Sequence, residues 1–575
     1  MGSFWFQAFS DLVYEVCLLA TLWKLLQVFW DTVFKAVEQW IQNQEQGMEE
    51  EVDEDEWHDA QQILDPIEED EGFFEEIPPV AKSAWKKVLP AKKVSPECLQ
   101  YNPFRGFRVT GNEDCLYLNI YTPKVYFEGE EKKLPVIVWI HGGFYNFGSG
   151  GEYGPAYLLE KNVVLVTINY RLGVLGFLST GDKSAPGNNG LRDQAMAIKW
   201  VADNIGSFGG DKNRITVVGF SAGGSSVHFH MLTNRTRNYF QQAISMSGTA
   251  FNPWALIPVQ EVQKATRQMA DIFQCPTRPS QAMVDCLRRQ SSASLVARQS
   301  ALFPKWPYPY VLFGPVVDAF EGNADPIIPL SPEDAYKSKA VHNITWIATM
   351  TKQEGHFALL FPTLMGRMTT LRRHWKNIAP LLLVYEKETD KVAEVTDKIT
   401  DYYFKGVDPL VASLDTFSEM YTDRHFGNSL HKALQYHSKI APTYSYVFDF
   451  MGKYNLGNLI GQRQHEWGVG HAEDTFYLFN SSSSYAGFKK SDPELKLSSI
   501  MVNVICNFVR TGKPTYTTEN ATTWDIWERI EDPDAMSFLQ LATDIKMVPE
   551  PHQNRIKFWE GLNLTSVIPS KIRSL

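Results

Sequence analysis

Cysteine is scarce in this chain, with six residues in 575, too few for disulfides to serve as the main scaffold. Lysine and arginine are missing altogether between Glu49 and Glu76, where 15 positions are Asp or Glu. That stretch alone accounts for the net charge of −11; elsewhere the balance is slightly positive. An N-terminal region of this sign argues against nucleic-acid binding there. Proline and glycine are absent from residues 4–41, so nothing interrupts a helix over that span. The same segment has no basic residue ahead of its apolar part, which argues against an ordinary secretory signal peptide. It also has no uncharged window long enough to cross a bilayer, because Glu15, Lys24 and Asp31 break every one. The chain carries no internal repeat.

Apolar material, by contrast, is plentiful: a hydrophobic fraction of 44% with 35 Phe and 16 Trp supplies a large buried core. Within residues 4–41, Trp5, Phe9, Leu12, Val16, Leu19, Trp23, Leu26, Trp30, Val33 and Val37 recur at steps of four and three, the period of an amphipathic helix. Two roles stay open for it, a contact with a membrane surface or protein partner and an uncleaved targeting signal. Residues 45–79 read as a solvated, disordered acidic linker. The expected organisation is therefore a helical segment over 1–44, a linker over 45–79 and a globular domain over 80–575. Cys98 with Cys115 and Cys275 with Cys286 are spaced as short local loops, with four buried free thiols as the alternative. Sequons at Asn234, Asn343, Asn480, Asn520 and Asn563 fit a secretory route, secreted or lumenal, although chance alone supplies a few.

From Val80 onward, strands alternate with helices. LPVIVWI (134–140), VVLVTIN (163–169) and RITVVGF (214–220) are short continuous apolar runs, each ending in a loop or turn. Helical periodicity follows in LRDQAMAIKWVADNIG and again in SAGGSSVHFHML. This alternation predicts an α/β fold, a mostly parallel sheet covered on both faces.

Gly219-Phe220-Ser221-Ala222-Gly223 sits where such a strand turns into such a helix. A nucleophile on so tight a turn needs small neighbours, and the N–H groups that follow lie at a helix N-terminus, where negative charge is stabilised. His141-Gly142-Gly143-Phe144, at an earlier strand end, is a loop able to offer backbone N–H groups to an oxyanion. A serine nucleophile also needs a base and a group to orient it. With thirteen histidines, spacing alone does not choose. His471, in WGVGHAEDTFYLF, and Glu354, in TKQEGHF after the run ITWIATM, are the candidates in the expected order of serine, acid, histidine.

The text EDCLYLNIYTP, VIVWIHGG, NYRLGVLGFLS, GNNGLRDQAMAIKWV, ITVVGFSAGGSSVH, QEGHF, GVGHAED and IKFWEGL resembles the type-B carboxylesterase and cholinesterase-like family, and within it the insect esterase and juvenile hormone esterase branches. The resemblance covers residues 95–565. It implies an α/β-hydrolase fold and a serine carboxylic ester hydrolase acting through an acyl-enzyme on small or lipid-like esters, with no metal or organic cofactor. It implies Ser221 as nucleophile, His471 as base, Glu354 as orienting acid, and the N–H groups of Gly143, Phe144 and Ala222 as oxyanion donors. It also implies disulfides Cys98–Cys115 and Cys275–Cys286, and a pocket lined by aromatics near Trp254 and Phe313. Three departures stand out. Phe144 replaces a third glycine (or alanine) and brings a ring beside the oxyanion site. Phe220 replaces a glutamate and makes the pocket less polar. The family's opening strands are reduced to FFEEIPPVAKSAWKKVLPAKKVSPECLQ. Phe144 and the reduced N-terminal strands leave an alternative reading, a catalytically weak or inactive binding or adhesion protein on the same scaffold.

Overall fold

The computed structural model describes residues 59–63, 78–82, 91, 93–106, 108–124, 133–302, 311–364, 366–455, 468–481, 487–517, 523–524 and 527–564. The amphipathic segment 4–41, Cys17, Asn520 and most of the acidic linker lie outside the described residues.

Continuous runs of apolar residues become strands buried on both sides. β1 (Asp59–Ile63) is followed by the hairpin of β2 (Gln100–Asn102) and β3 (Arg108–Thr110). The chain then forms β4 (Tyr117–Tyr121), β5 (Leu134–Ile140), β6 (Val164–Ile168), β7 (Gly210–Phe220), β8 (Gln242–Met246) and β9 (Thr345–Thr351). The last six strands are β10 (Thr443–Tyr444), β11 (Tyr446–Phe448), β12 (Tyr516–Thr517), β13 (Thr523–Trp524), β14 (Ser537–Leu541) and β15 (Lys546–Pro549). The large sheet runs β1-β4-β6-β5-β7-β8-β9-β11-β14-β15, with β10 also paired to β9. Its middle, from β6 to β14, is parallel. Antiparallel pairs close both edges.

Side chains alternate across this sheet, as a period of two requires. Val136, Val138 and Ile140 of β5 enter one core with Ala197, Ile198 and Val201 of the helix Asn189–Asn204. Ile137 and Trp139 enter the other, with Leu497, Met501, Ile505 and Phe508 of the helix Glu494–Thr511. All five β5 side chains are at most 1% exposed. With both faces covered, every strand end in the middle of the sheet is held in register by two neighbours. The site is built on those ends.

Within the span read as an acidic linker, Asp59–Ile63 pairs antiparallel with β4, Ala60 opposite Ile120. DAQQI carries one acid in five residues, so its backbone can join an edge that otherwise leaves polar groups unpaired. Cys98–Cys115 and Cys275–Cys286 are disulfides, and Cys506 is a buried free thiol. Among the described residues, no helix is long and apolar enough to cross a membrane.

Candidate active site

β7 ends at Phe220 and the helix Ala222–Met231 begins at once, so Ser221 alone makes the turn, with φ 56° and ψ −120°. That conformation is strained for a residue with a Cβ. Its neighbours show why they are small. A methyl group on Gly223 would lie 2.0 Å from the Ile140 carbonyl oxygen, and one on Gly219 would lie 2.4 Å from the Gly223 oxygen. The Ser221 N–H donates to the Met246 carbonyl at 2.7 Å, which ties the turn to β8.

The loop after β5 lies against this turn. Gly143 (φ 101°), Phe144 (φ 53°) and Tyr145 (φ 59°) all occupy the left-handed half of conformational space. A side chain on Gly143 would overlap the Phe147 oxygen. The Tyr145 hydroxyl bonds Ser225 Oγ at 2.6 Å, tethering the loop to the helix behind Ser221. Among the described residues, the N–H groups of Gly143, Phe144 and Ala222 donate to no protein acceptor, which leaves them available to a ligand. His141 is structural: its ring stacks on Tyr170, and burial pushes its pKa down to about 4. The Phe144 ring, only 2% exposed, packs in an aromatic cluster with Phe357 at 5.7 Å and Trp254 at 5.7 Å. Trp254 thus touches the loop after β5 through the Phe144 ring. Phe313 is fully buried in the core.

Glu354 follows β9, and His471 sits in the loop Gly468–Ala472. Their side chains meet, His471 Nδ1 to Glu354 Oε2, at 2.5 Å. The Glu354 Oε1 atom accepts from Ser247 Oγ at 2.6 Å and from the Thr351 N–H at 2.7 Å. The next residue, Gly248, packs directly on the elbow, where a methyl would strike the Ser221 oxygen at 2.1 Å. With Nδ1 donating to a carboxylate, Nε2 of the neutral ring carries the lone pair. Gln353 staples the two loops: its N–H donates to the Val469 oxygen at 3.0 Å, and its Oε1 accepts from the Val469 N–H at 2.8 Å. Gly468 (φ 58°) must lack a side chain, since a Cβ there would overlap Gln353 Oε1.

Sequence reading missed Tyr145, Ser247 and Gln353. Nothing local marks Ser247 or Tyr145, whereas Gln353 lies inside the quoted QEGHF text. Gln194 lies inside the quoted GNNGLRDQAMAIKWV text. It bonds Ser226 Oγ at 3.2 Å and His230 Nε2 at 3.0 Å, bracing the helix behind Ser221. Among the described residues, no group of His, Cys, Asp or Glu side chains is arranged to hold a metal ion.

A serine on a strand-to-helix turn of a mostly parallel sheet, with a histidine–carboxylate pair beside it, defines the serine hydrolases of the α/β-hydrolase fold. The model of the carboxylesterase family matches residues 76–559, and the chain belongs to that family. It is similar to a carboxylic ester hydrolase of Bombus ignitus, 35% identical over 84% of this chain and 86% of that one. It also resembles venom carboxylesterase-6 of Apis mellifera, 34% identical over 85% and 88%, and juvenile hormone esterase of Tribolium castaneum, 35% identical over 76% of each. The crystal structure of juvenile hormone esterase from Manduca sexta, with OTFP covalently attached, superposes with a TM-score of 0.76 at 26% identity. That match covers 88% of this chain and 95% of that one. The protein is a serine carboxylic ester hydrolase, and of the two readings of the scaffold these relatives support the enzyme.

Proposed function

We propose that Ser221 is the nucleophile, His471 the general base and then acid, and Glu354 the group that orients His471. The observation that carries this reading is the His471–Glu354 hydrogen bond, with the His471 ring 4.7 Å from that of Phe220 at the strained Ser221 turn. His471 Nε2 takes the Ser221 proton as Oγ attacks the ester carbonyl, and the N–H groups of Gly143, Phe144 and Ala222 hold the oxyanion. The imidazolium returns the proton to the departing alkoxide, leaving an acyl-serine. Water then enters, loses its proton to His471 and releases the acid. The substrates are small or lipid-like esters without formal charge. Support comes from the rings of Phe144, Trp254, Phe357 and Phe426 gathered around this chemistry, and from relatives named for juvenile hormone and venom esterases.

The reading extends to a secretory route. It is supported by two disulfides, which persist in oxidising compartments, and by exposed sequons at Asn234, Asn343 and Asn563. Asn480 is half-buried, with its Oδ1 accepting from the Ala156 N–H. The proposed membrane-surface or protein contact through 4–41 rests on the sequence pattern alone.

The test is hydrolysis of a short-chain nitrophenyl ester together with covalent labelling by an organophosphate. Ser221→Ala is expected to lower turnover about a thousandfold or more and to abolish labelling. Labelling that persists in this variant would place the nucleophile elsewhere.

A further inference from the structure

Phenyl rings wall in His471. The Phe220 ring lies 4.7 Å from the imidazole, centroid to centroid, that of Phe426 5.0 Å and that of Phe357 5.4 Å, with tilts of 43° to 51°. They arrive from three separate elements. Phe220 ends β7, and Phe357 belongs to the helix His356–Leu364 that follows Glu354. Phe426 belongs to the π-helical turn Asp423–Gly427, a rare distortion that often accompanies functional sites. Phe220 is also wedged against the oxyanion loop, where a methyl on Gly142 would meet its ring at 2.8 Å.

His471 is 2% exposed, so water contributes little to solvating a positive charge formed there. The titratable groups near it are Glu354 on Nδ1, Glu473 and Asp474 on its own turn, and Tyr446 of β11, whose hydroxyl donates to Asp474. A buried cation is costly unless it is compensated. The face of a phenyl ring attracts a cation lying within about 6 Å of its centroid.

We propose that Phe220, with Phe357 and Phe426, is a positioning residue of the esterase reaction whose ring stabilises the imidazolium that His471 becomes on accepting the Ser221 proton. The proposal rests on the reading of His471 as base. The proton passes from Ser221 Oγ to His471 Nε2 and on to the leaving alkoxide; the rings exchange neither protons nor electrons.

Mono-, di- and trifluorophenylalanine at position 220 of the full chain weaken the ring's negative face with little change in size. With a nitrophenyl butyrate substrate, kcat is expected to fall with each fluorine, reaching a loss of about 3- to 30-fold for the trifluoro ring. The acid limb of kcat/KM moves to lower pH over the same series, because the cationic imidazole is less favoured. The same substitutions at Phe404, which packs on Trp375 and Phe417, leave both readouts unchanged. A flat series at 220, or a Phe220→Leu variant with the wild-type pH profile, overturns the proposal and leaves the esterase reading standing. Turnover and an acid limb that both survive His471→Gln would instead remove the base assignment itself.

Discussion

Glu354 is fully buried and receives three hydrogen bonds, from His471, Ser247 and the Thr351 backbone. Each donor fixes the carboxylate plane, and so the direction in which His471 points. Ser247→Ala removes one bond to this group, a loss of about 1.5 kcal/mol or more. If that loss falls on the transition state, kcat drops about tenfold while KM changes little; steady-state kinetics checks it, and an unchanged kcat would make Ser247 a packing residue only. The legibility of these residues follows their range. Ser221 could be read from the chain because strand, turn and helix are adjacent in sequence. Ser247 could not, because its partner lies 107 positions away and meets it only where β8 runs beside β9.

At the scale of elements, the site depends on loops that tie themselves to one another. Gln353 joins the turn after β9 to the loop carrying His471 through two hydrogen bonds to Val469. Gln353→Met keeps the volume but loses the side-chain acceptor, so the His471 loop gains freedom and kcat is expected to fall about tenfold. Gln353→Glu keeps the acceptor and should retain most of the activity. Parallel kinetics of the two variants separates these cases, and equal losses in both would show that the acceptor is not what matters. The same interdependence explains two departures from the family pattern. Phe144 does not project into open space beside the oxyanion donors, because Trp254 and Phe357 receive its ring. Phe220 does make its surroundings less polar, and its contact with His471 arises only when the β7 end and the Gly468–Ala472 loop come together.

Across the whole molecule, two apolar cores cover the sheet and take many histidines out of water. Burial lowers His141, His342, His437 and His552 to about 4, and His230 and His425 to about 3. Unfolded, each binds a proton below about 6.5. The unfolded chain therefore holds more protons, and stability falls as pH drops from about 6.5 toward 4. Burial raises Glu152, Asp423 and Asp474 to about 7. These acids act the other way, since the folded chain keeps protons that the unfolded chain releases above about 4. His431, which burial lowers but Glu550 raises further, acts with the acids. The histidines prevail in number among the described residues. The urea midpoint is expected to fall between pH 7 and pH 5, and a midpoint that rises would mean the acids dominate.

The amino-acid sequence by itself determined the strand-helix alternation, the elbow at Ser221, the Gly-rich loop before it and the order of serine, acid and histidine. These are patterns of adjacent residues, set by side-chain period and backbone freedom. The text shared with the esterase family singled out Glu354 and His471, which local spacing left among many candidates. Only the tertiary structure decided what surrounds them. Ser247 behind Glu354, Gln353 across to Val469, Gln194 beneath the helix that follows Ser221 and three phenyl rings around His471 all come from distant parts of the chain. Strand order and the packing of both sheet faces bring them together, and neither is written in any local run of residues.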